Sequence, residues 1–552
     1  MLKHALIELL SRDYDWASWA FSLCDRDAQS SEYGCFDRYF WHYRTEREFP
    51  SATYQYLILA LTCLYLDPNS PWYHRRELKD WIVAGCQFWS KIQRRDGSFD
   101  EWLPYEQSHV ATAFTTAYIT EALLLFSEAS EAIDPGPSFW AALDRAGRFL
   151  CRHHDLVVLN HMAGAVSALG NLFILTKDQR FRKGCDDALE LMKSKQTTEG
   201  WFPEYSGADP GYTSVSIDFL AKYWHRSQDE RAMALILPAL DFLSHFQYPD
   251  GSVGGICGSR NTRYLLPHGL VLLNEYPAAR QALALWERGQ KAGVGVTLNS
   301  LDDRYRGFFL SNRLQALLDL QKINDFEKPS RGLDQTVDRY FPQAGLLRAA
   351  RGEFTLVCGL KKLAVFDLFQ GDTLCYTDAG YGLIFEDGEC ATTQWPDPEA
   401  QTRWDPETGH IRTEGLLALQ KGPDFFHRAL LPHRLISHVL GRLGRNSGAI
   451  NNRIKAQFVK PARKAPATFK RRIIFEAQSV EIQDSIAWQK PVAKVIHNQG
   501  PGKMHVPSSN FYTRNQSNGE VMDARGTAGI TITVKINFDG IDRRVDLIPV
   551  KS

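Results

Sequence analysis

The sequence predicts an α+β protein built as an N-terminal α/α toroid, residues 1–330, followed by a C-terminal antiparallel β-sandwich, residues 331–552. Three observations predict this. Apolar residues recur at a helical period through Ala52–Leu66, Thr112–Ser127, Ala163–Leu175 and Val215–Trp224. Beyond residue 330 the apolar runs shorten to strand length, as in Glu353–Cys358, Ala364–Phe369, Arg472–Phe475 and Ile530–Ile536. The charge changes sign at the same place: residues 1–330 hold 34 basic and 41 acidic residues, a net of −7, and residues 331–552 hold 30 and 23, a net of +7.

The start of the chain, MLKHALIELLSRDYDW, is broken by Glu8, Arg12, Asp13 and Asp15, so it does not read as a secretory signal. Ten scattered cysteines without a C-x-x-C pair argue against a zinc site or a disulfide framework. Both features predict a cytoplasmic protein with free thiols.

Within the helical part, Gln93-x-x-x-Gly97, Gln196-x-x-x-Gly200 and Gln247-x-x-x-Gly251 recur at separations of 103 and 51 residues. A period near 50 fits one antiparallel helix pair per repeat, and six pairs arranged as a toroid fill about 300 residues. The glycines suit the left-handed position that closes a helix. A linker is expected over Asn324–Gly332, where Lys328-Pro329-Ser330 lies.

The second part holds a basic, partly helical insertion around 425–475, with twelve Lys or Arg and no Asp or Glu. It reads either as a solvated connection between sheets or as a docking face for a polyanion, an acidic polysaccharide or an anionic membrane surface. No nucleic-acid motif accompanies it, so nucleic acid is not an expected partner.

Five segments of the helical part could carry chemistry. Phe40-Trp41-His42-Tyr43-Arg44 sets aromatics beside a His and an Arg that suit a sugar acid. Asn160-His161 opens a small-residue helix. Trp201-Phe202-Pro203-Glu204-Tyr205 leads to Tyr212, 51 residues after His161 and so one repeat further round, pointing from the same end. Ser259–Tyr264 with His268 gathers Arg260, Asn261, Arg263 and Tyr264, a set suited to an anionic sugar. Asp96–Trp102 carries three carboxylates, the raw material of glycoside hydrolysis.

Asn, His, Arg and Tyr together suit removal of the C5 proton of a uronic acid, whose carboxylate must be neutralised while a Tyr or His takes the proton. Loss of the 4-linked sugar then gives β-elimination, and return of the proton from the other face gives C5 epimerisation. Neither reaction needs a cofactor, and no metal-ligand spacing such as H-E-x-x-H is present.

With these residues in view, the chain resembles the heparinase II/III-like family of polysaccharide lyases, which includes alginate lyases and uronyl epimerases. The resemblance covers Asn160-His161, Tyr212 and, in the second part, Tyr340–Gly345, Gly359–Phe366 and Tyr376–Tyr381. It implies an α/α toroid before a β-sandwich, an acidic polysaccharide or oligosaccharide as partner, Asn160 and His161 on the uronate carboxylate, and Tyr212 as acid or base. The family's second-domain His is replaced here by Gly359-Leu360-Lys361-Lys362. Lys361, or Lys362, then stands as the candidate second base. A non-catalytic polysaccharide-binding or assembly protein and a toroidal glycoside hydrolase are the alternative readings.

Overall fold

The computed structural model describes residues 2–42, 48–205, 207–324, 326, 337–397, 399–420, 431–432, 434–436, 438–439, 463–498, 519–538 and 540–549. Helices fill its first part: α1 (Leu2–Ser11), α2 (Ala17–Leu23), α3 (Arg38–Trp41), α4 (Leu57–Leu66), α5 (Arg76–Lys91), α6 (His109–Glu128), α7 (Pro137–Arg152), α8 (Leu159–Thr176), α9 (Gln179–Lys195), α10 (Pro210–Ser227), α11 (Glu230–Ser244), α12 (Pro267–Leu272), α13 (Pro277–Ala292) and α14 (Asp303–Lys322). Packing runs α4–α6–α8–α10–α12–α14, and α14 returns to α4, so these helices close an inner ring. Helices α5, α7, α9, α11 and α13 pack in succession outside it, with α1 against α13 and α14.

This arrangement explains the composition of the helices. An inner helix touches neighbours on all sides, so α6 is buried continuously from Ala111 to Phe126 and is apolar enough to cross a membrane by length and composition alone. An outer helix such as α7 buries one stripe, Phe139, Ala142, Leu143, Ala146, Phe149 and Leu150.

The Gln-x-x-x-Gly repeat is a staple between successive hairpins. Gln93 Nε2 donates to Gly97 O at 3.1 Å and to Ala142 O of α7 at 2.7 Å. Gln196 Nε2 does the same with Gly200 O and Leu235 O of α11, both at 2.8 Å. The glycine is not a helix cap as expected: it lies in the turn beyond the helix, with Gly200 N donating to Thr197 O at 3.0 Å. Its φ is +91°, and a Cβ there would stand 2.2 Å from Pro238 O, so both the backbone and the approach of the next outer helix require glycine.

The second part is antiparallel: β1 (Arg339–Phe341), β2 (Leu346–Arg351), β3 (Phe354–Gly359), β4 (Val365–Gln370), β5 (Thr373–Asp378), β6 (Tyr381–Phe385), β7 (Cys390–Thr392), β8 (Gln401–Asp405), β9 (His410–Gln420), β10 (Lys464–Phe475), β11 (Ser479–Trp488), β12 (Val492–His497), β13 (Glu520–Asp523), β14 (Thr527–Asn537) and β15 (Gly540–Pro549). Strands β1 to β5 form one sheet in chain order; a ten-stranded sheet runs β13-β12-β6-β7-β9-β10-β11-β14-β15, with β8 beside β9. Leu356, Phe366 and Leu368 of the first sheet share an apolar core with Leu383, Ile411, Phe469, Ile482 and Ile530 of the second.

A separate apolar cluster joins the two parts of the chain: Trp201, Phe242, Phe246, Tyr248 and Cys257 pack on Ala344, Leu346, Val357 and Phe369. Polar contacts reinforce it. Arg263 pairs with Asp367 at 3.4 Å, and Glu199 accepts the backbone N–H groups of Gln343 and Ala344. The linker expected over 324–332 falls largely outside the described residues, as does most of 425–475. The end of that basic run is strand β10, which contains the strand-length run expected at Arg472–Phe475 and extends it back to Lys464. Arg471 has no solvent exposure and bridges Asp378 and Asp484 at 2.9 and 2.6 Å inside the sheet core.

Candidate functional site

The inner helices start at one end of the ring, and there a cavity of about 880 Å³ opens. Its lining includes Ser108 and His109 at the start of α6, Asn160 and His161 of α8, Tyr212 of α10, Tyr264 just before α12, and Arg304 and Tyr305 of α14. The repeat length accounts for this convergence, since each period returns the chain to the same end of the ring. The positive ends of the helix dipoles therefore point toward the cavity and favour an anion there.

His161 is the best-oriented titratable group. Its Nδ1 lies 2.7 Å from Asp155 Oδ2, while Asp155 Oδ1 accepts the N–H groups of Val157 and Val158 at 2.9 and 3.0 Å. Burial pushes the Asp155 carboxyl up, but the hydrogen bond and charge of His161 more than offset it and hold it well below the usual carboxylate range. In the neutral imidazole an ionised Asp155 holds the proton on Nδ1 and leaves Nε2 as the acceptor. His109, beside it, is pulled down to about 4, chiefly by burial, and is neutral at pH 7.

Tyr212 is buried in a cluster of phenols. Its ring stands edge-on to Tyr264 at 5.8 Å and tilted to Tyr205 at 6.2 Å. Burial first, then the neighbouring Tyr264, Tyr205 and Tyr305, pushes its phenol well above the ordinary value, so it stays protonated at neutral pH. Asp209 caps α10 beneath it, accepting from Tyr212 N at 3.2 Å and from Thr262.

Asn160 lines the cavity, but its Nδ2 donates to Glu204 Oε2 at 2.6 Å and its backbone N to Glu204 Oε1 at 2.9 Å. One amide hydrogen is thereby committed and the other is left for a ligand. Glu204 is wholly buried behind this contact and does not line the cavity; burial raises its pKa well above the usual range.

The other expected site residues divide. Tyr264 lines the cavity, whereas Arg260, Asn261, Arg263, His268 and Trp201 do not. Arg260 is buried against Tyr205, 3.9 Å from the ring centroid, and so backs the wall. Asn261 Oδ1 accepts from Lys362, and Arg263 faces Asp367, so both serve the junction with the sheets. His268 Nε2 meets Asp319 Oδ2 at 2.8 Å within the ring. Trp201 is part of the junction core and donates to Glu199 at 2.9 Å. His42 is exposed beside Trp41 and outside the lining; Arg44 lies outside the described residues.

Neither lysine of the second part lines this cavity. Lys361 is exposed and donates to Gln343 O. Lys362 is buried, donating to Ile256 O, Gly258 O and Asn261 Oδ1 at 2.6, 2.9 and 2.5 Å. Burial pulls its pKa down to about 7. A turn with Leu363 and Ala364 both in the left-handed region (φ +54° and +60°) follows it, an uncommon backbone for non-glycine residues.

Sequence reasoning singled out Asp96–Trp102 but missed Arg304, which faces it across the cavity. Arg304 pairs with Glu101 at 3.0 Å, and its guanidinium lies 3.6 Å from the Trp102 ring centroid. Trp102 is 42% exposed, and Leu156 and Val157 on the same rim are 57% and 56% exposed, a set of apolar surfaces at the mouth of the cavity. Of the carboxylates in Asp96–Trp102 only Glu101 lines the cavity; Asp100 is consumed by Arg94 and by the backbone N–H groups of Tyr105, Glu106 and Gln107.

The fold is that of polysaccharide lyases. The chain is similar to a chondroitin AC lyase of Streptomyces coelicolor A3, solved in complex with chondroitin sulphate, at a TM-score of 0.53 and 12% identity over 99% of this chain and 78% of that one. It is also similar to a Paenibacillus xanthan lyase, at 0.51 and 11% over 98% of this chain and 55% of the other. At these identities the likeness is one of fold. No protein-family model and no curated protein sequence matches the chain.

Proposed function

We propose that the protein is a carbohydrate-active enzyme acting on a uronic-acid-containing polysaccharide by β-elimination or C5 epimerisation, with the helical ring as an α/α toroid and the sheet pair as a β-sandwich. One observation carries this reading: His161, oriented by Asp155, and Tyr212, a protonated phenol, line the same cavity. His161 Nε2 takes the C5 proton. The helix N-termini and the remaining amide hydrogen of Asn160 stabilise the negative charge that develops on the uronate. Tyr212 gives its proton to the 4-oxygen as the C4–O bond breaks, leaving an unsaturated sugar. In epimerisation the bond stays and a proton returns to C5 from the opposite face. Trp102 and the rim apolar residues supply faces for sugar rings.

Glycoside hydrolysis is less well served. It needs a protonated acid beside a second carboxylate, and the cavity carboxylates Glu101 and Asp155 are tied to Arg304 and His161.

The test is incubation with heparosan, chondroitin and alginate. Growth of the unsaturated-uronate absorbance identifies a lyase, and deuterium uptake at C5 without absorbance an epimerase. Tyr212→Phe keeps the ring contacts and is expected to abolish turnover. Full activity of this variant, or binding of polymers without any chemistry in the parent protein, overturns the proposal.

A further inference from the structure

The outer face of the ten-stranded sheet carries a line of guanidinium groups. Strand register sets Arg403 opposite Arg412, Arg412 opposite Arg472, Arg472 opposite Gln483, Gln483 opposite Thr533, and Thr533 opposite Arg544. At a strand spacing of about 4.8 Å, this row over six strands spans about 24 Å. The row on one side of it, on the same face, holds Gln401, Glu414, Lys470, Ser485, Thr531 and Asp546, and the row on its other side holds Asp405, His410, Ile474, Glu481, Lys535 and Asp542. The alternate residues Arg471, Ile482, Asp484 and Ile532 are buried, which directs these rows away from the core.

Like charges directly opposite one another destabilise a sheet. Here three arginines stand on adjacent strands, and among the described residues none of Arg403, Arg412 and Arg472 forms an ion pair or donates a side-chain hydrogen bond. Of the carboxylates on the flanking rows, Glu414 is used by Lys470 at 3.0 Å, Glu481 accepts from Gln483 at 2.7 Å, Asp405 accepts the backbone N–H groups of Glu407 and Thr408, and Asp546 pairs with Arg544 at 3.0 Å. A shallow depression of about 700 Å³ runs along these rows and shares no residue with the ring cavity.

We infer that this face docks an acidic polysaccharide, at a site separate from the ring cavity. Planar guanidinium groups meet carboxylates or sulfates two hydrogen bonds at a time. Gln483, Ser485, Thr531 and Thr533 supply neutral partners for sugar hydroxyls. On these three rows Ile474 is the single apolar side chain, too little to enter a membrane, and none carries a Phe, Tyr or Trp ring to stack on a base. The site holds whether or not the ring cavity is catalytic.

The test uses alginate and dextran sulfate as probes, with neutral dextran, duplex DNA and phosphatidylserine vesicles for comparison. The acidic polysaccharides are expected to bind at low salt, to weaken as salt rises, and to protect Arg403, Arg412 and Arg472 from an arginine-modifying reagent read by mass spectrometry. The combined variant Arg403→Gln, Arg412→Gln, Arg472→Gln is expected to lose at least tenfold in affinity and the single Arg412→Gln an intermediate amount. Relief of like-charge contacts should leave the unfolding temperature of both variants equal to or above the parent's. Unprotected arginines, undiminished binding by the variants, or preference of the parent for DNA or vesicles overturns the inference. A failure of the Tyr212→Phe experiment bears on the cavity alone.

Discussion

Replacing Asp155 by Asn isolates the orientation of His161 from the rest of the cavity. In the protein, Asp155 Oδ1 accepts two backbone N–H groups and Oδ2 receives His161 Nδ1 at 2.7 Å. An Asn can keep the first role with its carbonyl oxygen, so the loop from Asp155 to Val158 retains its turn. Its amide then points N–H groups at Nδ1, which must become an acceptor, and the ring proton moves to Nε2. The atom facing the substrate no longer has a lone pair to take the C5 proton. General-base catalysis contributes about 10²–10⁴-fold, so kcat is expected to fall by that factor. This corresponds to about 2.7–5.4 kcal/mol of barrier at 1.36 kcal/mol per decade. The assay is initial rate against polymer concentration, by absorbance or C5 exchange, with KM moving less than kcat. Turnover within about threefold of the parent, in a variant whose circular dichroism is unchanged, would refute the assignment of His161 as base.

Three further outcomes test the fold around the site. Lys362 has a folded pKa of about 7 against roughly 10.4 for an exposed lysine, so folding releases a proton between these values. The penalty is absent above pH 10.4 and grows as pH falls toward 7, at up to about 1.4 kcal/mol per pH unit. Urea unfolding of the parent and Lys362→Met across that range should show the parent gaining stability relative to the variant as pH rises. Arg471→Met should cost about 3–5 kcal/mol in denaturant unfolding, because Asp378 and Asp484 are left buried without their cation. Gly200→Ala should destabilise by at least about 1–3 kcal/mol in thermal unfolding, since alanine must hold a φ of +91° and stand against Pro238 O.

Much of this was legible in one sequence because it depends on periodicity. The 51-residue spacing of His161 and Tyr212 brings them to one cavity, and a spacing of 52 adds Tyr264. Asp155 was legible only as a residue six positions before His161, a spacing with no helical meaning because it lies in the loop ahead of α8. Arg304 and its contact with Trp102 were not legible, since that contact joins residues 202 positions apart across the ring. Trp201, Arg263 and Asn261 read as sugar-binding residues because aromatic, cationic and amide side chains serve a domain junction as well as a ligand. Arg471 read as part of a basic run, either solvated or docking a polyanion, because its two carboxylate partners lie on other strands.

By itself, then, the sequence determined the order of helical and β parts, the period of the helical repeat, and the end of the ring at which polar residues gather. These are local or periodic properties, written in hydrophobic spacing and turn chemistry. Only the tertiary structure decided which polar residues face the cavity, which lock the junction and which form the arginine row on the outer sheet. Those outcomes depend on cross-strand register, ring closure and burial, which join residues far apart in the chain and give identical side chains opposite roles.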